Sequence, residues 1–234
     1  MDTNVTARWL GHSAFNLVSP GGKQIWIDPF LSQNPTTPSG YKKPKEADYI
    51  LLTHGHEDHV GDTLDIAERT GCTVLAQVEL SGLLKKHGLK EDQAVEFNKG
   101  GTVIFDDFQV TLVSANHSSS FGGEYAGEAG GLVIQFDDDI TFYHLGDTNI
   151  FADLELYSEL YEPDVIAVPM GDYYTMGPYE AAMACDMIRA EIAVPIHYGT
   201  FPVLTGDPED FRKFTEGFCD TKVLIPEAGE SFLE

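Results

Sequence analysis

Apolar and polar positions along this chain fall into short blocks arranged as two similar halves. In the first half, apolar or alternating runs at Arg8 to Leu10, Phe15 to Val18, Gln24 to Ile27 and Tyr49 to Leu52 predict short strands. Pro20-Gly21-Gly22, between the second and third, is a hairpin signal. Helical runs follow at Thr63 to Arg69 and Val78 to His87, with Gly71 and Gly88 placed as C-cap glycines. In the second half, strands near Val103 to Phe105, Gln109 to Ser114, Gly131 to Phe136, Thr141 to His144, Val165 to Pro169 and Ile192 to Ile196 alternate with helices near Ala152 to Tyr161 and Tyr179 to Ala190. Pro178 opens the last of these helices. Strands mixed with covering helices in both halves predict an α/β protein with two sheets face to face and helices outside.

No linker divides the 234 residues, so a single domain over 1–234 is expected, and 42% hydrophobic content is enough for a sizeable core. The longest irregular stretch, Ser32 to Lys45, is rich in Pro, Thr, Ser and Gly and reads as a loop able to border a site. No apolar segment has the length of a signal region or a membrane span, which points to a cytoplasmic protein. Cys72, Cys185 and Cys219 lie far apart without C-x-x-C spacing, so they read as reduced thiols outside any disulfide framework or metal site. The balance of 38 acidic against 14 basic side chains, a formal charge of -24, disfavours nucleic acids and anionic membranes as partners. A small-molecule substrate is the expected partner, and a homo-oligomer is compatible with the composition.

Chemistry concentrates at the predicted strand ends. Thr53-His54-Gly55-His56-Glu57-Asp58-His59 follows the run Tyr49 to Leu52 and sets three imidazoles and an aspartate in a tight turn. Histidine is usually placed singly, and this density supplies the nitrogen and oxygen donors that zinc and similar ions take. Three later runs end in the same way: Gln109 to Ala115 before Asn116-His117-Ser118-Ser119-Ser120, Ile140 to Leu145 before Gly146-Asp147-Thr148, and Ile192 to Ile196 before His197-Tyr198-Gly199. Ligands bind beyond strand ends in open sheets, so four such ends predict one shared site.

H-x-H-x-D-H followed by single His, Asp and His positions resembles the metallo-β-lactamase superfamily of hydrolases. Trp9-Leu10-Gly11-His12-Ser13, Tyr143-His144-Leu145-Gly146-Asp147-Thr148 and His197-Tyr198-Gly199-Thr200-Phe201-Pro202 resemble a family of metal-dependent hydrolases within it, over about Trp9 to Phe211. The resemblance implies a four-layer αββα sandwich. It also implies one metal on His54, His56 and His117, a second on Asp58, His59 and His197, and Asp147 bridging the two. Zinc suits five His and two Asp; manganese, iron, cobalt or nickel also fit. Two divalent ions would leave such a ligand set at about +2, favouring metal-bound hydroxide over water near neutral pH and polarising a carbonyl or phosphoryl oxygen.

The expected reaction is hydrolysis of an ester, lactone, amide or phosphodiester bond, with Asp58 also handling a proton of the attacking water. A di-iron redox protein would need an acidic residue at position 56, where His56 stands; a non-catalytic metal protein would need only four closed ligands. Ser118, Ser119 and Ser120 read as loop residues because no base free of metal duty adjoins them. Asp28, ending Ile25-Trp26-Ile27-Asp28-Pro29, is a candidate to orient a ligand imidazole, or a cap. His12 is either a pocket-rim residue donating to substrate, which the resemblance favours, or a satisfied core histidine; His144 is expected in the core and His87 at a helix C-terminus. Tyr198 is either an oxyanion donor or an aromatic wall, and Asp172 with Tyr173-Tyr174-Thr175-Met176-Gly177 is a candidate pocket loop.

Overall fold

The computed structural model describes residues 3–233. The first half runs β1 (Thr6–Trp9), β2 (Phe15–Val18), β3 (Gln24–Ile27), β4 (Tyr49–Leu51), α1 (Glu57–Val60), α2 (Thr63–Thr70), β5 (Thr73–Gln77), α3 (Val78–Lys86) and β6 (Ala94–Phe97). The second runs β7 (Thr102–Ile104), β8 (Phe108–Ser114), β9 (Ser120–Phe121), β10 (Glu124–Tyr125), β11 (Gly130–Phe136), β12 (Thr141–His144), α4 (Asp153–Tyr161), β13 (Val165–Pro169), α5 (Pro178–Ile188), β14 (Ile192–Ile196), α6 (Pro208–Phe218), β15 (Lys222–Val223) and β16 (Ser231–Leu233). One seven-stranded sheet has the order β16-β1-β2-β3-β4-β5-β6, the other β15-β14-β13-β12-β11-β8-β7. Each sheet is antiparallel on one side and parallel on the other: β3 to β6 and β12 to β15 pair in parallel.

Period-two alternation sorts the side chains into layers. Ile25, Ile27, Leu51 and Leu75 meet Leu112, Leu132, Ile134, Val194 and Ile196 between the sheets. Trp26, Ile50, Leu52 and Val74 point the other way, onto Ile66, Leu80, Leu83 and Leu84 of α2 and α3. Val133, Tyr143, Ile166 and Val168 likewise pack on Leu154, Ala181, Cys185 and Phe211 of α4, α5 and α6. Buried on both faces, the central strands read as continuous apolar runs, and the layers make the expected αββα sandwich.

The hairpin at Pro20-Gly21-Gly22 joins β2 to β3 and closes through Gly22 N–H to Ser19 O at 2.8 Å. Gly71 caps α2 at φ +75°, whereas α3 is capped by His87, with Gly88 one residue beyond. Eight of these elements have no counterpart in the sequence reading: α1, β5, β6, β9, β10, α6, β15 and β16. Thr73-Val74-Leu75-Ala76-Gln77 runs into α3 without a Gly or Pro to separate them, and β6, β15 and β16 have four, two and three residues. Helix α6 did carry a signal: Pro208 stands in its first turn, and Asp207 accepts from Glu209 N–H at 2.8 Å. Among the described residues, no helix is long and apolar enough to cross a membrane.

Candidate metal centre

Every candidate ligand leaves the C-terminal end of a strand, and those ends lie along one edge of the sandwich. His12 follows β1, Asp28 follows β3, His54 to His59 follow β4, His117 follows β8, Asp147 follows β12 and His197 follows β14. His12, Asp28 and His197 hold φ of +56°, +43° and +58°, a left-handed backbone that non-glycine residues keep only where the surroundings impose it. Gly146 is required by space as well as by φ: a Cβ there would lie 2.3 Å from Gly130 O.

Asp28 is the hub of the first half. Its Oδ1 accepts from Thr53 N–H at 2.9 Å, and its Oδ2 accepts from Thr53 Oγ1 at 2.6 Å and faces His59 Nδ1 at 2.7 Å. A carboxylate cannot donate, so His59 carries its proton on Nδ1 and turns Nε2 inward. The Thr53 hydroxyl has given its hydrogen to Asp28, so it accepts from His54 Nδ1 at 3.0 Å, and His54 Nε2 also faces inward as a bare lone pair. That nitrogen lies 2.9 Å from His56 Nδ1. Asp28 therefore orients ligand candidates and is not a helix cap.

Asp147 Oδ2 lies 3.0 Å from His197 Nε2, 3.3 Å from His59 Nε2 and 3.6 Å from His117 Nε2. Donor atoms within 4.8 Å of one another come from His54, His56 and His117, from His54, His59 and Asp147, and from His12, Asp58, His59 and His197. Buried His59 Nε2, Asp147 Oδ1 and His197 Nδ1 have no hydrogen-bond partner. Imidazole lone pairs set against one another and against a buried carboxylate are costly until a cation stands between them, so this donor set fits divalent metal ions.

Two lobes of a cleft open beside the cluster and share Asp58 and Phe201. One, about 540 Å³, is lined by Phe30, Ser32, Gln33, Glu57 and Phe121 among others. The other, about 600 Å³, holds His56, His117, Asp147 and His197 against Tyr174, Pro202 and Val203. The start of the Ser32 to Lys45 loop and Tyr174 thus border the site as expected, and no Lys or Arg lines either lobe.

Comparison with known proteins places the chain. A beta-lactamase superfamily domain profile matches residues 23–198. A UPF0173 metal-dependent hydrolase from Chelativorans sp. is 46% identical over 228 residues, covering 95% of this chain and 97% of that one. Another from Archaeoglobus fulgidus is 42% identical over 232 residues, covering 96% of each. The chain belongs to this family of metal-dependent hydrolases. A solved structure of Igni18, a metallo hydrolase from Ignicoccus hospitalis, matches with a TM-score of 0.87 at 35% identity over 97% of both chains.

Within the hydrolase, some expected placements change. His12 is not at the rim: it is 0% exposed, with Nε2 at 3.1 Å from Asp58 Oδ2 and Nδ1 at 3.0 Å from Thr200 Oγ1. The sequence reading gave Thr200 no role, although it stands within the motif His197-Tyr198-Gly199-Thr200-Phe201-Pro202. Tyr198 lines neither lobe; it stacks on Trp9 at 5.4 Å and packs against two core layers, and burial pushes its phenol up to about 12. His144 is structural: Nδ1 accepts from Gly146 N–H at 3.0 Å and Nε2 donates to Ser13 O at 2.9 Å, tying the Asp147 loop to the opposite sheet. Ser119 braces the His54 turn, accepting from Gly55 N–H and donating to Ala126 O. His87 sits at the end of α3, its Nδ1 2.9 Å from Leu83 O. Asp172 lies outside the ligand-bearing lobe, and all three cysteines are free.

Charge in the metal-free cluster is divided sharply. Burial lowers His12 to about 4, with His197 adding to the effect, and burial lowers His54, His56 and His117 as well. Burial also opposes protonation of His59, but the Asp147 and Asp28 carboxylates outweigh it and raise that imidazole. Burial would raise Asp147 and Asp58; the neighbouring histidines outweigh it and hold both well below the usual carboxylate range. Between about pH 6.5 and 4 the unfolded chain therefore binds more protons at the four lowered imidazoles, so stability falls as pH falls. His59 adds no slope there: its contribution is complete below its unfolded pKa of about 6.5 and is lost only as pH rises through its folded value. The two aspartates contribute stability above about pH 4 and lose it below. His12 alone accounts for about 3 kcal/mol across this window. Denaturation of metal-free protein at the two ends of the window should show this loss; a flat profile would contradict neutral, buried imidazoles.

Proposed function

We propose that this hydrolase holds two divalent ions and uses them to cleave a small molecule by direct attack of water, one ion on His54, His56 and His117, the other on Asp58, His59 and His197, with Asp147 between. The observation that carries this reading is the position of Asp147 Oδ2, within 3.0 to 3.6 Å of ring nitrogens from both sets, at the floor of an open cleft. Seven donors exceed the four of a closed structural zinc site. Zinc suits the donor set, and manganese, iron, cobalt and nickel are alternatives. The chemistry such ions would supply when bound is Lewis-acid polarisation of the scissile group and a lowered pKa of water.

The chain's own residues do the rest. Asp28, through His59 and through Thr53 to His54, fixes which imidazole nitrogens are bare. Asp58 reaches the cleft, where it would ligate and handle a proton of the attacking water. Ser118 is the only serine on the ligand-bearing lobe and has no free base beside it, which supports water as the nucleophile. Phe30, Phe121, Phe201, Pro202 and Val203 offer apolar walls, and the lack of Lys and Arg leaves an anionic substrate without a counter-charge from the protein. These features favour uncharged esters, lactones and amides over phosphodiesters.

The test is metal analysis together with a screen of matched esters, lactones, amides and phosphodiesters, with zinc and manganese loaded separately. About two equivalents per chain and turnover of an uncharged carbonyl substrate are expected. A ceiling of one equivalent under excess metal would refute the paired site. Preference for a phosphodiester would refute the substrate reading.

A further inference from the structure

The His12 imidazole is enclosed, and both ring nitrogens have partners whose chemistry determines its tautomer. Asp58 as a carboxylate can only accept, so the contact at 3.1 Å requires the hydrogen on Nε2. A neutral ring then has no hydrogen on Nδ1, which accepts from the Thr200 hydroxyl at 3.0 Å. The other acceptor within reach of that hydroxyl, Tyr198 O, lies farther off at 3.4 Å. The backbone fixes the ring from behind: His12 O accepts from Trp9 Nε1 at 2.9 Å and from His197 N–H at 3.0 Å, joining the end of β1 to the end of β14 in the opposite sheet.

We propose that His12 is a positioning residue: its Nε2–H holds the Asp58 carboxylate in one rotation, with Thr200 fixing the tautomer that makes this donation possible. The role rests on the reading above that Asp58 ligates the second ion. A carboxylate on a short helix and 28% exposed would otherwise rotate freely, and its lone pairs would face the ion only part of the time. The rival role is that His12 is itself a ligand, since its donor atom falls within the group formed with Asp58, His59 and His197. The two roles differ in what glutamine can replace. Its amide N–H can donate to Asp58 and its carbonyl can accept from Thr200, but it is a poor substitute for an imidazole as ligand.

The experiment measures both metal equivalents of His12→Gln, His12→Phe and Thr200→Val by competition with a chromophoric chelator, and the visible absorption of the cobalt-loaded proteins. His12→Phe should weaken the second equivalent by roughly 10- to 100-fold, the range for a group that orients a ligand, and leave the first within about twofold. His12→Gln should recover affinity to within about fivefold of the parent, Thr200→Val should fall between, and none should change the cobalt coordination spectrum. If Gln loses as much as Phe and the cobalt bands shift, His12 is a ligand and the proposal fails. If both equivalents weaken together with a lowered melting temperature that Gln does not restore, His12 is only a packing residue and the proposal also fails. Asp58→Asn separates the underlying assumption: unchanged affinity for both equivalents in that variant would remove Asp58 from the ligand set whatever the His12 variants do.

Discussion

Asp147→Asn is expected to lower kcat/KM by on the order of a thousandfold, about 4 kcal/mol of transition-state stabilisation, and to reduce metal content under conditions that saturate the parent protein. Asp147 is 2% exposed and approaches His59, His117 and His197 within 3.6 Å, so it is the one carboxylate placed against both proposed ligand sets. An amide of the same shape would remove a negative charge from between the two proposed cations and set an N–H₂ group against imidazole nitrogens that must stay bare. The loss should therefore exceed that of any substitution outside the ligand set. Circular dichroism and melting of the metal-free variant control for folding, and equilibrium dialysis with zinc gives the metal content. Two tightly held equivalents with parental turnover would exclude the bridging role.

The residues that build this centre stand out in the sequence because their chemistry and their topology coincide. Three imidazoles and an aspartate within His54 to His59 are too dense for surface or core packing, and His117, Asp147 and His197 each follow an apolar run by one to three residues. Strand ends in parallel arrangement share an edge, so these positions converge wherever the strands sit within their sheets. Depth at that edge is a different matter. His12 also follows a strand, which suits a rim or a core position alike; whether such a residue faces the cleft or lies beneath it depends on the loop above. That loop is Thr200 and Phe201, which cover His12 from the opposite sheet, with the Phe201 ring 5.5 Å from the His12 ring. Tyr198 shows the same limit: its ring stacks on Trp9, and the residue before it, His197, takes a left-handed backbone that no local pattern announces in a histidine.

The fold was legible where periodicity had punctuation and not where it lacked it. Central strands such as Gly130–Phe136 and Val165–Pro169 have turn residues on either side and five to seven apolar or alternating positions. Edge strands β6, β15 and β16 hold their places through pairing with longer neighbours; β16, for example, is fixed by Leu233 opposite Ala7 and Ser231 opposite Arg8. Such strands are specified by tertiary pairing rather than by their own pattern.

The largest effect on stability is expected from Asp28→Asn. Asp28 is 0% exposed and accepts three hydrogen bonds, two from Thr53 and one from His59 Nδ1. Asparagine tolerates the left-handed φ of +43° about as well as aspartate, so the backbone itself is not the issue. With its carbonyl toward Thr53 N–H, the amide N–H₂ of Asn meets the Thr53 hydroxyl and His59 Nδ1, both donors in the parent. The hydroxyl can rotate and accept. His59 can adapt only by moving its hydrogen to Nε2, the nitrogen that faces Asp147 and would hold the second ion. One substitution thus removes a buried charge-assisted network and closes a ligand position 3.3 Å from Asp147. The expected cost is about 3 kcal/mol, a fall in melting temperature of roughly 6 to 12 °C for a domain of this size. Affinity for the ion on His59 should fall by roughly 10- to 100-fold. Nitrogen-15 chemical shifts of labelled histidine in the zinc-loaded protein, where His59 must be neutral to ligate, report the tautomer directly. A His59 ring still protonated on Nδ1, with parental melting temperature and both metal equivalents intact, would show that Asp28 does not set the orientation of this centre.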